Sequence, residues 1–257
     1  MKYCFGTVCW GGYLERYIDF FVNNYITIYR KLIGLGVNNE DIAEPKIVYV
    51  NTDDTPGPKT DNAIKKLQKV TGKKITLICD KHKYTPYTIM YSTRNRLRLE
   101  FKKSYPTEEK VYFYFPIDDS VRPEAVVELV KLSHATKPTA CMFRFFVTEG
   151  AIRYSAGTRP INSYTDIHPS DWGGYCAYNI LNEDDCPLYP KIAIPNIAFY
   201  AELYRAGYTQ YQSKEVCVDH LRHTDSHHFK TKDTAMTEKV KEYLLWQRKD
   251  LHEKGFK

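Results

Sequence analysis

The chain lacks the glycine-rich phosphate loops that mark two large classes of nucleotide-binding enzyme. Neither G-x-G-x-x-G nor G-x-x-x-x-G-K-[ST] occurs in its 257 residues. Such loops let backbone amides surround a phosphate at the start of a helix, as in dinucleotide dehydrogenases and P-loop nucleotidases. Their absence argues against both classes. A nucleotide would instead be held by base contacts and a metal-bridged diphosphate.

Paired cysteines, long apolar runs and basic arms are also missing. None of the seven cysteines belongs to a C-x-x-C motif, and an odd, scattered set is typical of reduced thiols in the cytosol. No secretory signal is visible, and no apolar run approaches the ~20 residues of a membrane span. We therefore expect a cytoplasmic protein. The net charge of +6 is spread along the chain, so we expect anionic partners but no nucleic acid.

The first half of the sequence alternates strand and helix patterns. Short apolar runs predict strands over residues 2–9, 46–50, 75–79 and 110–115. Apolar residues at helical spacing predict helices over residues 14–35, 62–70, 86–103 and 124–132. This alternation predicts an α/β fold with a doubly wound, mostly parallel sheet.

The second half is less regular and predicts a smaller, mixed part of the same domain. Paired strands are expected over 139–148 and 151–155, a loop over 158–170, a helix over 196–206 and a strand over 215–219. An amphipathic C-terminal helix over 234–254 either docks on its own domain or makes peripheral contact with an acidic membrane. We predict a single domain with a nucleotide-binding half (1–123), an acceptor half (124–228) and the C-terminal helix (229–257).

An acidic pair, Asp118 and Asp119, follows the aromatic run that begins at Lys110. This position corresponds to the carboxyl edge of a central strand, where open α/β sheets bind ligands. Two carboxylates with Ser120 beside them suit a hard divalent cation that also binds phosphate oxygens. The alternative is an acidic turn that caps the following helix.

Other polar residues follow the remaining strands and could share one crevice with the acidic pair. We predict nucleotide contacts from Thr7 and Trp10 after the first strand, from Asn51, Asp53 and Asp54 after the second, and from Asp80 after the third. Asp53 or Asp54 would contact the base, and Asp118 would also contact the nucleotide. Arg94 could offer its guanidinium fork to a phosphate, or could form an ion pair on a helix surface.

The order of these motifs resembles the GT-A glycosyltransferases, especially those of family 2. Thr93-Arg94-Asn95 stands where the family has Ala-Arg-Asn, and Asp118-Asp119-Ser120 stands for the D-x-D metal motif. Residues 202–208 are similar to the family's late helix ending in Arg-x-x-Gly-Tyr, and His220 matches a strand-end histidine that often completes the metal site. The resemblance covers roughly residues 1–225.

The resemblance implies a hexosyltransferase that moves a sugar from a UDP- or GDP-sugar to a glycan or another hydroxyl acceptor. It also implies Mn²⁺ or Mg²⁺ held by Asp118, Asp119 and His220. The sequence departs from the family at Ser120, in the third position of the metal motif, and at Asn196, where inverting enzymes carry their aspartate base.

The departure at Asn196 leaves three interpretations of the acceptor base. Asp184 or Asp185 replaces it, the enzyme retains configuration, or the site is inactive; Glu202 is a further base candidate. Two other functions stay open. A nucleotidyltransferase would need a basic loop after the first strand, which residues 7–12 do not contain. A non-catalytic GT-A-like module would bind a nucleotide or glycan without transfer.

Overall fold

The computed structural model describes residues 1–50, 56–81, 89–149, 152–156, 175–189 and 195–221. The predicted loop over 158–170 and the predicted C-terminal helix lie outside these residues. The strands are β1 (Lys2–Trp10), β2 (Lys46–Val50), β3 (Thr76–Asp80), β4 (Lys110–Tyr114), β5 (Ser120–Val121), β6 (Thr139–Glu149), β7 (Ile152–Ala156), β8 (Cys176–Ile180) and β9 (Thr209–Leu221). The helices are α1 (Gly11–Gly34), α2 (Pro58–Thr71), α3 (Ile89–Ser104), α4 (Glu124–Ser133) and α5 (Pro195–Arg205), with a 3₁₀ turn at Asn39–Asp41.

One sheet runs through both halves of the described chain in the order β3-β2-β1-β4-β8-β6-β9-β5, and β7 pairs with β6. The first four strands are parallel, as predicted. Beyond β4 the sheet is mixed, because β8 is antiparallel to β4 and β6, whereas β9 is parallel to β6. The predicted α/β class is therefore confirmed, with fewer parallel pairs than "mostly parallel" implies.

Helices cover both faces of the sheet, so two apolar cores form. Buried side chains of α1, α2 and α4 pack on one face, around Phe21, Leu67 and Leu129. Buried side chains of α3 and α5 pack on the other, around Phe101 and Phe199. Strands β2 and β4 are buried along their whole length, which explains their continuous apolar sequences.

Local chemistry explains where α2 begins and ends. It starts at Pro58, four residues before the predicted start, because the Glu15 carboxylate of α1 accepts hydrogen bonds from the backbone amides of Gly57, Lys59 and Thr60. It ends at Gly72, whose φ of +73° is the left-handed conformation that favours glycine. Among the described residues, no helix combines the length and apolar character needed to cross a bilayer.

Two strands of the second half differ from the sequence prediction. The sequence analysis assigned no strand at β8, although its five residues are all buried beside β4. Strand β9 begins at Thr209, six residues before the predicted start, because Thr209–Gln212 pair with β6 despite their polar side chains. His220 is consequently the penultimate residue of this long strand and does not lie after its end.

Candidate active site

The acidic turn, residues 117–119, leaves the carboxyl end of β4. The Phe115 amide donates to the Gly6 carbonyl at 3.3 Å, so the chain leaves β4 alongside β1. Ser120 then pairs with Asp219 of β9. Asp118 is partly exposed, whereas Asp119 is fully buried. The two carboxylates therefore lie at the predicted edge of the sheet but in different environments.

Asp119 belongs to a hydrogen-bond network with Tyr175 and His220. Tyr175 Oη donates to Asp119 Oδ2. His220 Nδ1 lies 2.7 Å from Tyr175 Oη and 3.0 Å from Asp119 Oδ1. Because the single phenolic hydrogen is used on Asp119 and a carboxylate oxygen only accepts, Nδ1 must carry a hydrogen. In the neutral imidazole the lone pair is then on Nε2. The network thus sets the tautomer and the orientation of His220.

Tyr175 is a permanent donor in this network. Burial raises the pKa of its phenol well above the ordinary value, and the negative charges of Asp119 and Asp118 raise it further. The Phe145 ring packs against it, with ring centroids 5.1 Å apart. Burial followed by the Asp118 charge also raises the pKa of the Cys9 thiol. Asp118 is therefore within electrostatic range of both β1 and the start of β8.

An ion pair fixes the strand that carries His220 to the segment after the acidic turn. Arg122 Nε lies 2.9 Å from Asp219 Oδ2, and its Nη2 lies 2.7 Å from Asp219 Oδ1. The hydrogen bonds with Asp219 raise the pKa of Arg122. The Arg122 amide also donates to the Cys217 carbonyl at 2.8 Å. This bidentate geometry holds β9 and the acidic turn in one register.

Sequence reasoning missed two residues of this site. Tyr175 precedes β8, and the buried run Cys176–Ile180 was the signal that could have shown it as strand-borne. Asn24 lies in α1 among Phe21, Tyr25 and other buried residues, and it is 5% exposed. An amide inside the apolar stripe of a helix is a signal in itself, because a buried amide must find partners.

The described residues offer two candidate ligands for a divalent cation, Asp118 and His220. Asp118 offers a partly exposed carboxylate, and the hydrogen on His220 Nδ1 leaves Nε2 as the nitrogen that could bind a metal. Asp119 has the position of the carboxylate that orients a metal-binding histidine. Across the described residues, no three His, Cys, Asp or Glu side chains form a metal-type group. Mg²⁺-type ions often bind through one or two protein ligands plus phosphate and water.

Three strands end level with one another beside the acidic turn. Trp10 of β1 pairs with Val50 of β2, and Val50 pairs with Asp80 of β3. Asp80 is buried and lies three strand spacings, or ~14 Å, to the side of β4. The predicted base contacts Asn51, Asp53 and Asp54 lie outside the described residues, as does the side chain of Trp10. The carboxyl ends of β1, β2 and β3 thus form one edge of the sheet, and Asp80 lies on that edge.

Thr7 and Arg94, both predicted to contact the nucleotide, are buried in the protein. Thr7 is 0% exposed within β1, paired with Ile47. Arg94 is 2% exposed, and its guanidinium packs 4.1 Å from the centroid of the Tyr114 ring. Neither the phosphate contact nor the surface ion pair considered for Arg94 matches this position. The Arg94 guanidinium instead packs on the ring of Tyr114, the last residue of β4.

The predicted acceptor bases lie at the opposite edge of the sheet. Strand β8 is antiparallel to β4, with Ile180 opposite Lys110, so the residues after β8 lie where β4 begins. There Asp184 is bound by Lys102 at 3.2 Å, and Asp185 accepts from the Asn182 side chain at 2.9 Å. The structure therefore places Asp184 and Asp185 at the edge where β4 begins and not at the acidic turn, which contradicts their predicted role as the acceptor base.

Glu202 and Asn196 lie six residues apart on α5, which spans Pro195–Arg205. Glu202 lies near the carboxyl end of the helix and pairs with Arg205 at 3.1 Å. Because β9 begins four residues after Arg205 and runs parallel to β6, this end lies at the edge where β9 starts. His220 lies at the other end of β9. Glu202 is therefore also remote from the acidic turn. Asn196 lies nearer the other end of the helix, in the first turn of α5.

No protein-family model and no curated protein sequence matches the chain. Among solved structures, one of 23 matching chains is the crystal structure of S. aureus TarS 1-349, a staphylococcal glycosyltransferase. It superposes with a TM-score of 0.56 at 14% sequence identity, covering 86% of this chain. This chain spans 60% of the length of that structure. At such identity the likeness concerns the fold alone: the chain has a glycosyltransferase-like fold.

Proposed function

We propose that the chain is a glycosyltransferase that moves a sugar from a UDP- or GDP-sugar to a hydroxyl of a glycan or other acceptor. The observation that carries this proposal is the network of Asp119, Tyr175 and His220 beside a partly exposed Asp118. It lies at the carboxyl edge of parallel strands in a glycosyltransferase-like fold. Ligands of open α/β sheets bind at that edge.

Asp118 and His220 would hold Mn²⁺ or Mg²⁺, and Asp119 would orient the His220 ring. The cation, when bound, neutralises the charge that develops on the diphosphate leaving group. The protein's own part is to direct the N–H of His220 Nδ1 toward Asp119 and to carry the ring on β9, which pairs with β6. The sequence analysis gave Asp119 a direct metal contact; its full burial favours the orienting role.

The nucleoside would lie along the ends of β1, β2 and β3. Asp80 and Trp10 border this edge, and the segment 51–55, with Asp53 and Asp54, continues from β2. The sugar would then project from the acidic turn toward the acceptor. In this proposal the described residues bind the donor and stabilise its leaving group, and none of them deprotonates the acceptor.

The alternatives are less well supported by the described residues. α1 begins at Gly11 directly after β1, so no basic loop of the kind a nucleotidyltransferase uses lies between them. A non-catalytic module would bind the same nucleotide without releasing diphosphate from a donor sugar.

All seven cysteines are free thiols, which supports a reducing compartment such as the cytoplasm. A membrane contact through residues 229–257 remains a separate proposal.

A thermal-shift screen of nucleoside diphosphates with and without Mn²⁺ tests the proposal. Ligand at a hundredfold excess over Kd stabilises the native state by ~2.7 kcal/mol. For a chain of this size that corresponds to a rise in Tm of about 5–10 °C. We expect the rise for UDP or GDP, and we expect Asp118→Asn to remove its Mn²⁺-dependent part.

Asp184→Asn is the matched control, since Asp184 is exposed and lies at the opposite edge of the sheet, where β4 begins. It should keep the wild-type response. Undiminished Mn²⁺ dependence in Asp118→Asn would show that the metal site is elsewhere. Release of nucleoside diphosphate from a donor sugar then separates a transferase from a binding module.

A further inference from the structure

The outer edge of β5 is contacted by a side chain of α1. Among the described residues, β5 is the last strand in the sheet order, and the strand it pairs with is β9. On the other edge, Asn24 Nδ2 donates to the Asp119 carbonyl at 2.6 Å, and Asn24 Oδ1 accepts from the Val121 amide at 3.0 Å. One amide side chain thus satisfies two backbone groups on either side of Ser120.

This contact holds the acidic turn from the side opposite β9. Along an extended chain the polar groups of alternate residues point in opposite directions. Ser120 therefore faces Asp219 of β9, while the groups of Asp119 and Val121 face Asn24. Asn24 belongs to α1, which packs on β1 and α4, so the turn is fixed to the rigid body of the domain. Asp219 and its neighbour His220 are fixed to the same turn from the other side.

A polar residue at position 24 has a cost that packing alone does not explain. Asn24 is 5% exposed and lies between the buried residues Phe21, Tyr25 and Ile28. Burying an amide is unfavourable unless its donor and its acceptor are both used. Here the donor is used on the Asp119 carbonyl and the acceptor on the Val121 amide.

We infer that Asn24 is a positioning residue that sets the distance of Asp118 and Asp119 from His220. The inference rests on the proposed function, because it gives Asn24 a role in binding the metal-bridged nucleoside diphosphate. Residues that orient metal ligands change affinity by about 10–100-fold when they are replaced. Asn24 acts through the backbone of the turn and touches no ligand itself.

Four variants on one turn of α1 test the inference. Asn24→Asp keeps the size and the acceptor for Val121 but places an oxygen against the Asp119 carbonyl. Asn24→Ala removes both bonds. Asn23→Asp and Asn23→Ala are the matched controls, since Asn23 is exposed and its side-chain oxygen accepts from Lys66 Nζ at 2.9 Å.

Two readouts are needed. The first is hydrogen exchange of the Val121 amide, measured without ligand. The second is the Kd of the folded protein for UDP and GDP, with and without Mn²⁺, at a temperature well below Tm. A purely structural role would lower Tm but leave the Kd of the folded fraction unchanged.

We expect Asn24→Ala to exchange Val121 faster, and both Asn24 variants to weaken Mn²⁺-dependent binding at least tenfold, with wild-type behaviour in both Asn23 variants. Unchanged exchange in Asn24→Ala, or an unchanged Kd in both Asn24 variants, overturns the inference. So does open-chain exchange of Val121 in the wild-type protein, a measurement that needs no variant to fold. If wild-type protein binds neither nucleotide, the proposed function fails, and the exchange data alone then decide whether Asn24 holds the turn.

Discussion

Two tyrosines of the β8 segment should respond in opposite ways to the same substitution. Tyr175 and Tyr178 are both buried, and Phe at either position removes one oxygen atom. Tyr175 donates to Asp119, which is 0% exposed, so no water can replace the lost donor. A hydrogen bond to a charged group contributes ~1.5–3 kcal/mol. We expect Tyr175→Phe to lower the free energy of unfolding by ~2 kcal/mol.

Tyr178→Phe is the matched control. Its hydroxyl has no hydrogen-bond partner among the described residues, although the side chain is 0% exposed. Removing a buried, unsatisfied polar group is neutral or stabilising. We therefore expect a Tm equal to or above the wild-type value for Tyr178→Phe, and a Tm about 4–8 °C below it for Tyr175→Phe.

Differential scanning calorimetry at neutral pH measures both variants, and the Mn²⁺-dependent Kd for UDP or GDP adds a functional readout. Tyr175→Phe should also weaken that binding about 10–100-fold, because Asp119 and His220 lose the hydroxyl that bridges them. Equal losses of Tm in the two variants would refute the argument, since they would show that the hydroxyls have equivalent surroundings. A wild-type Tm for Tyr175→Phe would refute it as well.

Two further pairs of variants test other charged groups. Hydrogen bonds from Thr60 and from the backbone lower the pKa of Glu15 although burial opposes them, so Glu15→Gln should cost ~1 kcal/mol at pH 7. The difference in unfolding free energy between wild type and Glu15→Gln, measured by urea unfolding, should shrink below pH ~4.3 and vanish once Glu15 is protonated in the folded state. The unfolding free energy of Asp19→Asn should stay within ~0.5 kcal/mol of wild type at every pH. Glu183→Gln should cost ~3–5 kcal/mol in thermal unfolding, because Lys110, 1% exposed and 3.2 Å away, loses its counter-charge. Asp184→Asn, 85% exposed, should change Tm little, and comparable losses would contradict the burial argument.

The parallel half of the fold could be predicted because its inner strands β2 and β4 are buried along their whole length. The predicted bounds of β2 are those of the structure; β1 extends one residue further at its end, and β3 is shifted by one residue at both ends. Each is a short apolar run between turn residues, and in β2 this is the pattern of a strand covered by helices on both sides. The acidic turn was predictable for the same reason, since it directly follows such a run.

Side-chain partners could not be predicted in the same way. Sequence spacing places Asp119 after β4, but its burial depends on Tyr175, 56 residues away, and on His220, 101 residues away. Arg94 illustrates the converse case. A guanidinium that suits a phosphate also suits an aromatic face, and here it packs on Tyr114. Residue type alone does not distinguish the two.

The direction of a single strand decides which residues meet at the candidate site. A parallel strand brings its last residues to the carboxyl edge, as β4 does for the acidic turn and β9 does for His220. An antiparallel strand between them brings its first residues to that edge instead. Strand β8 lies there, with Cys176 opposite Tyr114, so Tyr175 reaches Asp119. The same direction carries Asp184 to the far edge. Without the strand order, the carboxylates after β8 are as plausible as the tyrosine before it; with the order known, only the tyrosine is within reach.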